Sequence, residues 1–246
     1  MADRDAIVAC ANELLSVDRW PEFGPPGLQV IGAAEVTRIA CGVSASRELF
    51  ERAVDAGAEL VLVHHGLFWR NEPLVVDARL RGRLEALFRG NASLAAYHLA
   101  LDAHPELGNN AQLAQRIGAT PTGPFGGVGL GCELGPLPFG ELVARVAEVT
   151  ERTPLTLGHG SAEVRRVAIS TGGAGHDLVR AAHEGFDVLL TGEAEEPSHH
   201  AARELEIHLI AAGHHATERF GVQALAAHLA REFDLAWSYL EVDNPV

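Results

Sequence analysis

Residues 36–66 read VTRIACGVSASRELFERAVDAGAELVLVHHG, and the reading of this stretch decides the fold. It opens on an apolar run, turns through Gly42, Ser44 and Ser46, continues with apolar residues at helical spacing, and meets Gly57. A second apolar run, Leu60 to Val63, then ends in His64 and His65. Short apolar runs bounded by turn residues read as buried strands, and an amphipathic 3.6-residue period closed by glycine reads as a helix. The stretch is therefore strand, helix, strand. Residues 164–193, VRRVAISTGGAGHDLVRAAHEGFDVLLTGE, have the same layout and align with it without a gap at an offset of 128, which sets Gly57 on Gly185.

Each of these units is followed by another strand and helix candidate. In the first half they are SLAAYHLALD (93–102) and NNAQLAQRI (109–117); in the second they are IHLIAAG (207–213) and TERFGVQALAAHLAREF (217–233). LAWSYLEV (235–242) supplies a last strand. Strands alternating with helices imply an α/β fold, here two similar α/β halves with mostly parallel strands. The expected boundaries are 1–118 for the first half, 119–163 for a Gly/Pro-rich connection and helix, and 164–246 for the second half.

Composition excludes several classes of function. The chain of 246 residues is 47% hydrophobic and 21% charged, the profile of an ordinary globular protein. Its formal charge of −14 repels phosphate backbones, so broad nucleic-acid binding is disfavoured. Arg79, Arg81, Arg83 and Arg89 fall close together and read as a solvated helix face. The three cysteines, Cys10, Cys41 and Cys132, form no CxxC pair, which argues against a disulfide framework or a thiolate zinc site. No signal-like N-terminus or membrane-length apolar run is present, so a cytoplasmic protein away from membranes is expected. Neither GVSAS nor GGVGLG matches the phosphate-cradling GxxxxGK[ST] loop.

Thirteen histidines are the unusual feature. In open α/β sheets ligands bind at the carboxyl ends of strands, and several of the polar residues fall there. His64 and His65 end one strand, Asp102 lies four residues after His98 beyond the next, and Glu193 follows LLTG in the second half. His214, His215 and Glu218 follow IHLIAAG. Neighbouring residues of a regular strand point to opposite faces, so His64 and His65 reach neighbouring ions only if the chain turns at Gly66. His214 and Glu218 share one face of a helix start. Two or three imidazoles with two carboxylates suit a divalent Zn, Fe, Mn or Ni ion. His199 and His200 read as a solvated helix start, His228 as a helix-interior residue, and His159, His176 and His183 carry no spacing signal.

The stretches VLVHHGLFW, YHLALDAHPELGNNAQLA, LLTGE and GHHATERFGVQAL resemble the NIF-three-like family, often labelled GTP cyclohydrolase I type 2, in its compact bacterial branch. FGPPGLQVIG is a weaker match, with Pro26 where the family usually has Asn. Longer members carry an inserted domain between the halves, and the 119–163 connection here is too short for one. The resemblance implies a dinuclear centre at the strand ends between the halves, two divalent ions per chain held by His64, His65, Asp102, His214 and Glu218. A bridging carboxylate and a bridging water or hydroxide complete it. The resemblance favours His214 over His215, makes His98 a supporting or additional ligand, and sets Glu193 in the same cavity. It also implies a ring-like homohexamer. The expected activity is metal-dependent hydrolysis of GTP, another nucleotide or a cyclic amide, with His98, His104 or Glu193 moving protons. A metal-binding or metal-handling ring scaffold without turnover is the alternative.

Overall fold

Alternation along the predicted strands fixes which side chains enter which core, and the computed structural model, which describes residues 1–246, carries that alternation into two sheets. In chain order the first elements are β1 (Ala2–Asp3), α1 (Arg4–Leu15), β2 (Gly27–Val30), β3 (Glu35–Val36) and β4 (Arg38–Ser44). Then come α2 (Arg47–Asp55), β5 (Leu60–His65), α3 (Ala78–Arg89), β6 (Ser93–Ala96) and α4 (Leu99–Asp102). The chain continues through α5 (Asn109–Ile117), β7 (Thr120–Phe125), β8 (Gly129–Pro138), α6 (Phe139–Thr150), β9 (Leu155–Gly158) and β10 (Glu163–Ser170). It closes with α7 (Leu178–His183), β11 (Val188–Thr191), α8 (Ser198–Glu204), β12 (His208–Ala211), α9 (His214–Phe233) and β13 (Ala236–Tyr239).

The chain divides into two compact units: residues 1–107 with 221–243, and residues 108–220 with 244–246. The first holds a five-stranded sheet of order β13-β4-β5-β6-β2, in which only β2 runs antiparallel to its neighbour. Leu60 and Leu62 of β5 enter one core with Ile39, Tyr97 and Leu225; Val61 and Val63 enter the other with Phe50 and Leu87. A sheet covered on both faces needs apolar residues at every position, which is why β5 reads as a continuous run. Ser46 caps α2 by accepting from the Leu49 N–H, and Gly57, at φ +73°, takes the left-handed turn beyond its end.

The second unit holds a six-stranded sheet of order β7-β8-β10-β11-β12-β9. Its centre, β10-β11-β12, is parallel, and β8 and β9 flank it antiparallel. Val167, Val188 and Ile210 enter one core, and Ala168, Leu189 and Leu209 the other. The region 119–163 supplies three of these strands, β7, β8 and β9, and the helix α6.

Two local expectations change. SLAAYHLALD is not one strand: β6 stops at Ala96 and the chain forms the short helix α4, so Asp102 ends a helical turn. Helix α9 starts at His214, three residues before the stretch 217–233, and carries His214 and Glu218 on one helix as their four-residue spacing predicts. No helix is long and apolar enough to cross a membrane.

Candidate metal centre

In the first unit, β5 ends at its two histidines, and their partners come from the end of β4, the residue just beyond β6 and the short helix α4. His64 is fully buried, and its Nδ1–H donates to the Tyr97 carbonyl at 2.9 Å. Because a carbonyl only accepts, this bond settles the proton on Nδ1, the usual way a protein aims Nε2 of a histidine at a metal. Nε2 lies 3.5 Å from Asp102 Oδ2, and Asp102 is also buried. A nitrogen lone pair facing a carboxylate is a favourable arrangement only with a cation or proton to share.

His65 hydrogen-bonds through Nδ1 to Ser44 Oγ at 3.0 Å, a partner delivered by the β4–β5 register. The ligand atoms of His64, His65 and His98 lie within 4.8 Å of one another. With Zn–N near 2.0–2.1 Å, a ligating ring's centre sits about 3.2 Å from the ion, so two rings on one ion have centres roughly 4.5–5.2 Å apart. The observed separations are 4.7 Å for His64–His65, 4.9 Å for His64–His98 and 5.5 Å for His65–His98. The first two fall in that range and the third lies outside it, so His64 with either neighbour fits one divalent ion.

Glu22 is the residue that motif reasoning missed. It lies in an irregular segment, is 8% exposed, and caps α4 by accepting from the N–H groups of Leu99 at 3.0 Å and Ala100 at 2.8 Å. Its Oε2 is 3.7 Å from His98 Nδ1. Burial by itself raises its pKa, but the contact with His98 and the two backbone bonds outweigh burial and hold it below the usual carboxylate value. Nothing in the surrounding PEFGPPG marks this role, since its partners are more than seventy residues away.

The second unit builds its cluster at the start of α9, just after β12. His214 Nε2 is 3.1 Å from Glu218 Oε2, the pairing expected of residues four apart on a helix. Its Nδ1 bonds to Oε1 of Glu193, at the exit of β11. Burial lowers the His214 pKa, but the two carboxylates overcome it and raise the value to about 9. Glu218 is 3% exposed. The backbone of Gly172, at φ +69°, presses on this cluster: a β-carbon there would lie 3.1 Å from His214 Nε2 and closer still to Glu218. The Gly172 carbonyl accepts from Thr191 Oγ1 and from the N–H groups of Gly192 and Glu193, which ties the β10 exit to the β11 exit.

The other candidates fall as follows. His215 is buried, with its backbone N–H donating to the Val246 carbonyl, while the side chain that meets Glu193 and Glu218 is that of His214. His104 lies in a turn, where its Nδ1 accepts from the N–H groups of Glu106 and Leu107, and burial lowers its pKa. His199 and His200 open α8, and His228 lies within α9 beside Arg231. Arg79 and Arg81 are paired with Glu72 and Glu85.

Comparison with known proteins accounts for the whole chain. The sequence model of the Duf34/NIF3 (NGG1p interacting factor 3) family matches residues 2–245. A Vibrio cholerae serotype O1 protein named GTP cyclohydrolase 1 type 2 homolog is 42% identical over 247 residues, covering 98% of both chains. The Pseudomonas aeruginosa protein of that name is 43% identical over 246 residues, covering 97% of both. The solved structure of protein ybgI, described as of unknown function, superposes with a TM-score of 0.97 at 41% identity over 100% of both chains. The structure of TTHA1606 from Thermus thermophilus gives 0.94 at 33% identity, again over 100% of both. Agreement of this extent in sequence and in fold leads to one conclusion: the chain belongs to the Duf34/NIF3 family.

Proposed function

We propose that the protein is a metal-dependent hydrolase in which His64, His65 and Asp102, with His214 and Glu218, hold two divalent transition-metal ions. The observation that carries the reading is His64: fully buried, fixed as the Nδ1–H tautomer by Tyr97, and aimed at Asp102 within a group of three imidazoles. When bound, two such ions supply Lewis acidity and bring a water's pKa toward neutrality. The chain's own residues then do the rest. Tyr97 and Ser44 orient His64 and His65, and Glu22 holds the start of α4 that carries His98. His98 and Glu193 stand beside the proposed ligands, each able to hold a proton near a reacting group. His104 is the weakest of the three proton-transfer candidates, because its Nδ1 already serves two backbone donors.

The relatives' shared name makes GTP the first substrate to test, followed by other nucleotides and cyclic amides. The second reading is a metal-binding scaffold without turnover, favoured by the fit of the donor set to an ion independently of any substrate. A homohexamer in the cytosol is part of the proposal, and light scattering on purified protein tests the assembly.

The primary experiment measures metal by mass spectrometry in the untagged protein, His64→Ala, Asp102→Asn and Glu218→Gln. About two ions per chain, lost in all three variants, is the expected result. Metal content unchanged by these substitutions sinks the centre. Metal binding without hydrolysis of any of the three substrate classes leaves the scaffold reading.

A further inference from the structure

The exit of β10, Thr171-Gly172-Gly173-Ala174, carries no charged or metal-ligating side chain, yet its backbone lies against the ligand pair of the second unit. A β-carbon on Gly173 would lie 3.7 Å from His214 Cε1, and Gly172 meets both His214 and Glu218. The Gly172 backbone sits on the Oε1 side of the Glu218 carboxylate, while Oε2 faces His214 Nε2 at 3.1 Å. Two donor atoms on one ion at about 2.0–2.1 Å lie roughly 2.9–3.4 Å apart for coordination angles of about 90–109°. The pair therefore stands at the spacing one ion requires.

Two threonines fix the loop that backs this pair. Thr191 and Thr217 are both fully buried. Burying a hydroxyl is unfavourable unless its hydrogen bonds are made, and each of these both donates and accepts. Thr191 Oγ1 donates to the Gly172 carbonyl at 3.1 Å and accepts from the Ala174 N–H at 3.2 Å. Thr217 Oγ1 accepts from the Gly172 N–H at 3.1 Å and shares its proton between the carbonyls of Gly213 at 2.9 Å and His214 at 3.0 Å. Thr171 is tied elsewhere: its N–H donates to Asn110 Oδ1 at 2.9 Å, and Asn110 Nδ2 donates to the Val128 carbonyl at 2.9 Å. Of these side chains, that of Thr217 joins the loop to the helix that carries the ligands.

We infer that Thr217 is a positioning residue of the metal centre: its hydroxyl holds the Gly172 peptide against the start of α9 and so keeps His214 and Glu218 at ligating separation. The inference rests on the assignment of those two residues as ligands. At about 100° per residue, Thr217 and Glu218 flank His214 at about −60° and +40° around the helix, so all three share one stripe. The bond that Thr217 returns to the preceding turn of its own backbone sets its rotamer and leaves a lone pair for Gly172. Valine has nearly the same shape and no hydroxyl. In its place the buried Gly172 N–H has lost its acceptor, and the loop moves to find another. The Glu218 carboxylate then loses its backing, and ordering its long side chain on an ion costs more. Groups that orient ligands without touching the metal are typically worth about 10–100-fold in affinity.

The test is a competition titration of zinc between the whole protein and a chromophoric chelator, in wild type, Thr217→Val, Thr217→Ser and Glu218→Gln. The step lost in Glu218→Gln marks the ion held with His214. That step is expected to weaken by about tenfold or more in Thr217→Val and to stay within about threefold of wild type in Thr217→Ser, which keeps the oxygen. Cobalt(II) gives a readout that stability does not move: its ligand-field absorption is expected to change in Thr217→Val and to return in Thr217→Ser. Gly57→Ala, which strains a turn of the first unit, controls for a general loss of stability and is expected to bind zinc as wild type does. Wild-type zinc affinity and cobalt absorption in Thr217→Val overturn the inference, and a loss of the ion in Glu218→Gln then leaves the ligand assignment standing. Zinc binding unchanged in Glu218→Gln overturns the assignment and the inference with it. Hydrogen exchange of the peptide spanning Gly172 in metal-free wild type decides the matter without any variant: its amide is expected to be protected, and rapid exchange overturns the role given to Thr217.

Discussion

Gly172→Ala is the substitution that separates a metal-ligating Glu218 from a merely buried one. At φ +69° an alanine costs about 1–2 kcal/mol in backbone strain alone. The added methyl would also lie 2.1 Å from Glu218 Oε1 and 3.1 Å from His214 Nε2, where ordinary contact begins near 3.4 Å. Something must yield by about 1 Å or more. The loop cannot yield cheaply, because its carbonyl receives three hydrogen bonds and its N–H is bonded to Thr217 Oγ1. The carboxylate of Glu218, at the end of a longer side chain, is the part that moves. Metal–oxygen bonds near 2.0–2.2 Å tolerate only about ±0.2 Å, so a shift of that size removes the ligand. Gly57→Ala is the matched control: its φ is +73°, and nothing lies within 4 Å of an added β-carbon. Denaturant unfolding should show a loss of about 1–2 kcal/mol in Gly57→Ala with full metal content, and a loss at least as large in Gly172→Ala with metal depleted. A Gly172→Ala protein that keeps its full complement of metal refutes the placement of Glu218 among the ligands.

The remaining predictions concern single groups. His64→Ala leaves the buried Tyr97 carbonyl without its imidazole donor and opens a void, so unfolding free energy should fall by about 2–4 kcal/mol in metal-free protein. A loss under about 0.5 kcal/mol would show the contact to be idle. Glu22→Gln should cost about 2 kcal/mol at neutral pH, since charge-assisted bonds to α4 become neutral ones. Because Glu22 is held below its ordinary value of 4.5, its contribution is present above that pH and drains away as the pH falls through the lower folded value. The wild type–variant difference should therefore shrink in acid, and a pH-independent difference contradicts the assignment. Metal uptake must displace the proton that two carboxylates hold on His214 up to a pH of about 9. Calorimetry at a pH of about 7.5 in buffers of differing ionisation enthalpy should detect about one proton released per chain from this residue, and a binding enthalpy that does not change with the buffer contradicts the assignment.

Much of the architecture was legible locally. The strands around Leu60–Val63 and Val188–Leu190 announce themselves because a parallel strand buried on both faces must be apolar throughout, and Ser46 and Gly57 punctuate the helix that precedes β5. Histidines at the end of β5 and a His-x3-Glu at the start of α9 were visible for the same reason, since strand ends and helix turns set side-chain direction over a few residues. What only the tertiary structure decided depends on contacts between distant parts of the chain. Strand β13 pairs with β4 across almost two hundred residues, and α9 begins in one packing unit and ends in the other. Glu22 acquires its role from backbone groups at Leu99 and Ala100, and Thr217 meets Gly172 where the start of α9 comes to lie beside the exit of β10. Periodicity records which face of an element is apolar, because burial acts on each residue in turn; which element comes to lie beside it is decided by the closure of the whole chain, and no local pattern carries that information.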